Sequence, residues 1–226
     1  MISERGHRWR SGVAFDLYIV TDEAVGLGRS HTDLARMALQ GGADVIQLRD
    51  KILSSRRLYQ AASEIRALTL DAGALFIVND RVDIALASMA DGVHLGQQDL
   101  AVAEARRIAP PGFIIGCSVG TPDEAALAEA AGADYIALSP IFSTTSKDDA
   151  GDGHGLATLR SIRSASSLPL IAIGGINKGN VAPVIGAGAD GVAVISAVLG
   201  SEDVASAAAD LREAIRMAKR EQYPEC

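Results

Sequence analysis

The sequence predicts an α/β protein built as a single-domain (β/α)₈ barrel, and three observations carry that prediction. Short apolar runs alternate with Ala-rich segments of helical period along the chain, the pattern of a parallel sheet with crossover helices. The runs are LYIV at Leu17, VIQL at Val45, LFIV at Leu75, VHL at Val93, FIIGCS at Phe113, YIAL at Tyr135, LIAI at Leu170 and VAVIS at Val192. Eight strand-helix units is the number a closed barrel takes. The third observation is an internal repeat: Ala43-Asp44, Ala90-Asp91, Ala133-Asp134 and Ala189-Asp190 each precede an even-numbered run, three of them after a glycine. Such a glycine suits the left-handed turn that ends a helix. A doubly wound open sheet shares the alternation, but it usually carries a Gly-rich dinucleotide loop after its first strand. Here the first run ends in Thr21-Asp22-Glu23 instead.

The length of 226 residues is enough for one large core, and no composition shift or Pro/Ser-rich linker divides the chain. Residues 1–15 are expected to form a flexible tail, with Arg5, Arg8 and Arg10 beside His7 and Trp9, ahead of a barrel over 16–226. A net charge of -7 argues against nucleic acid and anionic membranes, and aromatics at 4% are too few for a base-stacking surface. The expected partners are small phosphorylated molecules held by a local anion site, and a homo-oligomer is left open. Cys117 and Cys226 form neither a disulfide framework nor a zinc spacing, so a reducing, cytoplasmic location is the default. No apolar stretch reaches the length of a membrane span.

Chemistry concentrates at the ends of the runs. Gln47, Arg49 and Lys51 share one face of the second strand and its extension, whereas Ile46 and Leu48 point into apolar packing. Grouping an amide, a guanidinium and an ammonium in a barrel mouth suits an anion such as pyrophosphate, because unpaired buried charge is costly. Ordinary salt bridges to Asp44 or Asp50 at a solvated strand end are the alternative. Asn79-Asp80 ends the third run and Gln97-Gln98-Asp99 follows the fourth. Two carboxylates at neighbouring strand tops suggest Mg²⁺, which keeps several waters and needs few protein ligands. Both acids also precede helical patterns and could serve as N-caps.

The fifth run ends at Ser118, and the sixth leads into Ser143, Thr144, Thr145, Ser146 and Lys147, hydroxyls closed by a cation. Gly174-Gly175 after the seventh run and Ile195-Ser196 after the eighth stand where barrels commonly bind phosphate through backbone N–H groups. The Gly-rich stretch from Asp148 to Gly155 reads as a mobile loop. His94 lies inside the fourth run and reads as structural.

In order and spacing, these segments resemble the thiamine-phosphate synthase family over nearly everything beyond residue 15. The carriers are VIQLRDK at Val45, IVNDRVDIAL at Ile77, DGVHLGQQDL at Asp91, GCS at Gly116, DYIALSPIFSTTSK at Asp134, IAIGGI at Ile171 and GADGVAVISAV at Gly188. The resemblance implies a TIM barrel enzyme that joins a pyrimidine pyrophosphate to a thiazole phosphate and releases pyrophosphate. It implies that the stretch Gln47, Leu48, Arg49, Asp50 and Lys51, with Asn79, Ser118 and Lys147, binds the pyrimidine pyrophosphate. Arg49, Lys51, Lys147 and Ser118 would act in catalysis, and Asp80 and Asp99 would hold Mg²⁺. Thr144, Thr145, Ser146, Gly174, Gly175, Ile195 and Ser196 would form the thiazole-phosphate site. The chain departs from the family in having Ser139 before Pro140 where glycine is usual, and Ser146 where threonine is usual.

Two other readings stand beside this one. A thiazole tautomerase on the same barrel would lack the metal and pyrophosphate set, and its relatives carry a proton-moving histidine where this chain has Gly120. A non-catalytic sensor of phosphorylated ligands would not need Lys51, Lys147 or the paired acids.

Overall fold

Why the chain closes on itself follows from the eight apolar runs, each short, β-branched and flanked by a helix that covers its outer face. The computed structural model describes residues 15–143 and 153–222. Over these the order is β1 (Leu17–Thr21), α1 (His31–Gln40), β2 (Val45–Leu48), α2 (Ser55–Ala72), β3 (Leu75–Asn79), α3 (Val82–Ala87), β4 (Gly92–Leu95) and α4 (Val102–Ile108). It continues with β5 (Ile114–Val119), α5 (Pro122–Ala130), β6 (Tyr135–Leu138), α6 (Gly155–Ala165), β7 (Leu170–Ile173), α7 (Val181–Gly186), β8 (Gly191–Val194), α8 (Ser196–Leu199) and α9 (Val204–Gln222). The strands run parallel in sequence order, and β8 pairs with β1 to close the barrel. The single-domain (β/α)₈ TIM barrel that the sequence predicts is thus the observed fold.

Local chemistry starts and stops the helices. Ser30 caps α1 by accepting from the Asp33 N–H at 3.1 Å, and Thr121 caps α5 by accepting from Glu124 N–H at 3.2 Å. The glycines of the sequence repeat take the left-handed turn expected of them, with φ of 86° at Gly42, 92° at Gly132 and 102° at Gly188. In the second of the four repeats Met89 occupies that place with φ 56°, at a cost glycine would avoid.

The repeated aspartates form four equivalent clamps at the N-terminal face. Asp44, Asp91, Asp134 and Asp190 accept from the N–H groups of Leu17, Phe76, Ile115 and Leu170 at 2.7–2.9 Å, one at the start of each odd strand. The N–H of each aspartate returns a bond to the carbonyl of that same residue. Three of the carboxylates also pair with an arginine from the preceding even-numbered helix: Arg66 of α2 with Asp91, Arg106 of α4 with Asp134, Arg163 of α6 with Asp190. Arg212 of α9 pairs with Asp44 and closes the ring, while Lys219 near the C-terminal end pairs with Asp16. These contacts tie strand starts together and leave the opposite rim to function.

Along each strand, residues facing the helices are apolar and buried, as with Leu17, Ile19, Ile46 and Leu48. Inward residues are more polar toward the C-terminal ends, and that alternation produces the site.

Candidate active site

A cavity of about 330 Å³ opens at the C-terminal end of the barrel. Alternate residues of the strands and their extensions line it: Tyr18 and Val20, Gln47 with Arg49 and Lys51, Asn79, His94 and Gly96, Ser118, Tyr135 with Ala137 and Ser139, Ile171 with Ile173, and Ala193. Charge gathers on one side of the mouth. The Arg49 guanidinium stands 3.7 Å from Asp22, and the Lys51 ammonium 3.8 Å from Asp80. Asp80 sits in the left-handed region with φ 60°, which a non-glycine residue adopts at a cost of about 1–3 kcal/mol. Its N–H donates to the His94 carbonyl at 2.8 Å, so β4 helps to hold the strained turn. Partial burial, followed by the adjoining Asp99, pushes the Asp80 carboxyl up to about 6 against the pull of Lys51 and Arg49. Asp99 is fixed in turn by the Gly96 N–H, which donates to it at 2.7 Å.

Neither acid is a helix cap. The residue before α3 is Arg81 and that before α4 is Ala101, so the capping alternative gives way to two carboxylates turned toward each other. No group of three or more His, Cys, Asp or Glu side chains with metal-binding geometry occurs among the described residues. A pair of carboxylates beside Arg49 and Lys51 still fits magnesium, which needs few protein ligands and completes its shell with water and substrate oxygens.

A second recess adjoins the first and is lined by Gly174, Gly175, Ile195 and Ser196 with Ser139 and Ile176. Gly174 has φ 102° and Gly175 φ 66°. A side chain at Gly175 would lie 2.8 Å from both Phe142 Cβ and the Ser143 carbonyl, so glycine is required by backbone packing as well as by access to the recess. Asn180 donates to the Gly175 carbonyl at 2.9 Å and fixes the turn.

Comparison with known proteins gives the family. The family model described as thiamine monophosphate synthase matches residues 17–198. The thiamine-phosphate synthase of Methanoculleus marisnigri is 66% identical over 209 residues, covering 92% of this chain and 99% of the relative. That of Methanoregula boonei is 60% identical, covering 93% and 97%. The solved thiamine phosphate pyrophosphorylase from Pyrococcus furiosus superposes with a TM-score of 0.84 at 44% identity, covering 90% of this chain and 96% of that one.

The chain belongs to the thiamine monophosphate synthase family.

Membership makes it an enzyme, and the residues that the family pattern singles out can be placed. Gln47, Arg49, Lys51, Asn79, Asp80, Asp99 and Ser118 all line the large cavity. Leu48 and Asp50 do not. Strand alternation turns Leu48 outward, where it is fully buried, and draws Asp50 to His31 Nε2 at 3.1 Å and to the N–H groups of Ile52 and Leu53. Asp50 therefore shapes the turn that carries Lys51, and the hydrogen bonds hold its carboxyl below the ordinary range despite burial. The salt bridges expected of strand two run to Asp22 and Asp80, not to Asp44 or Asp50. Thr144, Thr145, Ser146 and Lys147, and the stretch 148–152, lie outside the described residues. Beside that stretch, the His154 ring packs against Gly120, 3.3 Å from where a Cβ would stand.

Among the polar cavity residues absent from the sequence-derived set are Tyr18, Tyr135 and Gln97. Period-two alternation would have found the tyrosines, since Tyr18 faces inward two residues before Val20 and Tyr135 two before Ala137. Gln97 donates to the Ser118 carbonyl at 2.6 Å, a contact that only the folded chain brings together. His94, read from sequence as structural, lines the cavity and bonds Ser118 at 2.9 Å.

Proposed function

We propose that the chain condenses 4-amino-2-methyl-5-(diphosphooxymethyl)pyrimidine with 4-methyl-5-(2-phosphoethyl)thiazole, or its carboxylated form, to give thiamine phosphate and pyrophosphate by a dissociative displacement, the carboxylated form losing its carboxyl group as CO2 as well. The observation that carries this reading is the meeting of Asp80 and Asp99 beside Arg49 and Lys51. Facing carboxylates repel each other, and such an arrangement calls for a cation between them and an anion beyond it. When bound, magnesium would neutralise charge that builds on the departing pyrophosphate.

The chain's own residues supply the rest. Arg49 and Lys51 present fixed positive charge to the leaving group, with Lys147 added by the family pattern. Groups of this kind are worth roughly 10²–10³ in rate each where they face developing charge. Gln47 and Ser118 orient the pyrimidine, while the walls formed by Ile171, Ile173 and Ala193 exclude water from a carbocation-like centre. Gly174, Gly175, Ile195 and Ser196 border the recess that would take the thiazole phosphate. The thiazole nitrogen attacks with a lone pair it already holds, so alignment suffices and no general base is needed.

Thiazole tautomerisation on the same barrel is the second reading, and the nearness of His154 to Gly120 favours it, since an imidazole can move protons. The acid pair and the basic triplet have no part in that reaction. An assay with both substrates, with and without magnesium, decides between them. Metal-dependent thiamine phosphate is expected; interconversion of thiazole isomers without any coupling would overturn the reading.

A further inference from the structure

Five polar side chains form a continuous relay beneath the cavity. Gln47 Nε2 donates to the Tyr18 hydroxyl at 2.7 Å, the Tyr18 and Tyr135 hydroxyls lie 2.9 Å apart, and Tyr135 is 3.0 Å from His94 Nδ1. His94 Nε2 then meets Ser118 Oγ at 2.9 Å. Gln47, Tyr18, Tyr135 and His94 are all buried, so a proton aimed at no acceptor is costly. Gly116 makes room for the relay, since a Cβ there would stand 2.4 Å from the Tyr135 oxygen.

Each hydroxyl has one proton, and a neutral imidazole has one between its two nitrogens. Direction therefore propagates from end to end. With the Gln47 amide nitrogen on the Tyr18 oxygen, the Tyr18 proton goes to Tyr135, and the Tyr135 proton goes to His94 Nδ1. An accepting Nδ1 places the ring proton on Nε2, which donates to Ser118. The Ser118 proton is then left for the cavity. In the reverse order Tyr18 would receive from both neighbours and its own buried proton would have no acceptor.

We propose that Gln47 sets the polarity of this relay, so that His94 is held as the Nε2–H tautomer and Ser118 presents its proton, not a lone pair, to the ligand. The two ends then read a ligand together: a donor is wanted opposite the Gln47 amide oxygen and an acceptor opposite Ser118. His94 is a positioning residue in this scheme, acting through Ser118. The consequence for the ligand rests on the pyrimidine reading above, whereas the tautomer belongs to the protein alone and can be measured whatever the cavity binds.

The test is ring nitrogen NMR of the full chain labelled with ¹⁵N-histidine, without ligand, His94 being assigned by its loss in His94→Gln. Nε2 is expected protonated and Nδ1 not. In Gln47→Glu, studied at pH 8, the ionised carboxylate only accepts; Tyr18 turns to it, the relay reverses, and the proton moves to Nδ1. A parent ring protonated on Nδ1, or on both nitrogens, overturns the proposal by itself, and decides it should Gln47→Glu fail to fold. An Nε2–H ring that persists in a folded Gln47→Glu removes Gln47 as the cause and overturns it equally.

Discussion

The carboxyl groups of Asp80 and Asp99 adjoin at the cavity mouth, and the charge of Asp99 helps to keep the proton on Asp80. Between them they make the one place in the described residues where burial and like charge raise a carboxylate to about 6. Asp80 also carries left-handed backbone. Strain and repulsion together make it a residue kept at the expense of stability, as the proposed metal-binding role would require.

That arrangement gives a pH dependence with a definite sign. Asp80 ionises at about 6 when folded, against 3.8 ordinarily, so the fold is penalised once Asp80 loses its proton. The penalty is absent below about pH 4, grows between the two values and is complete above 6. A two-unit difference corresponds to at most about 3 kcal/mol, reduced by solvent at the mouth. Asp80→Asn should therefore match the parent at pH 4 and exceed it by about 1–3 kcal/mol at pH 7 in urea denaturation. Millimolar magnesium should raise the parent's melting temperature at pH 7 and leave Asp80→Asn unmoved. Parallel stability curves for the two proteins would show the carboxylate pair is misjudged.

Lys51→Ala and Lys147→Ala should each lower the single-turnover rate by about 10²-fold or more, with a much smaller effect on the Michaelis constant for the thiazole phosphate. Charge on the leaving pyrophosphate grows toward the transition state, so its partners act on the chemical step. Rapid-quench measurement with saturating substrates separates the two quantities. An unchanged rate with weakened thiazole binding would place these lysines at the other site.

Gly175→Val should raise the Michaelis constant for the thiazole phosphate at least tenfold and also lower the melting temperature. The side chain would meet Phe142 and the Ser143 carbonyl, and the left-handed backbone disfavours a branched residue. Steady-state kinetics with each substrate varied in turn, alongside thermal melting, provides the check. Damage confined to the pyrimidine substrate would exchange the two assignments.

Met89→Gly should stabilise the fold by about 0.5–1 kcal/mol without altering turnover. Met89 is exposed and holds the positive φ that glycine takes in the other three units. Chemical denaturation of the two proteins measures the difference; a loss of stability would mean that the thioether packs to more effect than its exposure suggests.

Much of this architecture is legible before folding. The eight apolar runs locate all eight strands, and the Gly-Ala-Asp repeat locates the turns, because both depend on nearest neighbours along the chain. Alternation also places Gln47, Arg49 and Lys51 together, since a strand offers only two faces. It equally turns Leu48 and Asp50 away, a consequence that a contiguous family motif conceals. What the sequence hides is contact across the barrel: the Tyr18–Tyr135 bond joins residues 117 positions apart. Likewise His94 reads as structural by itself, and becomes part of the cavity only when β5 brings Ser118 to it.

The four aspartate clamps carry a consequence about rearrangement. Each unit of two strands repeats the same grip on its neighbour, and Arg212 performs for Asp44 what Arg66, Arg106 and Arg163 perform inside the chain. As far as these contacts go, the ring has no first member. Asp16 and Lys219 already join the start of β1 to the end of α9, so a gene recut to begin at Phe113, with β1 following α9 through a linker, would encode the same circle of grips. A barrel fastened in this way behaves as a ring of four like segments, and the order in which the chain strings them together has little bearing on the grips themselves.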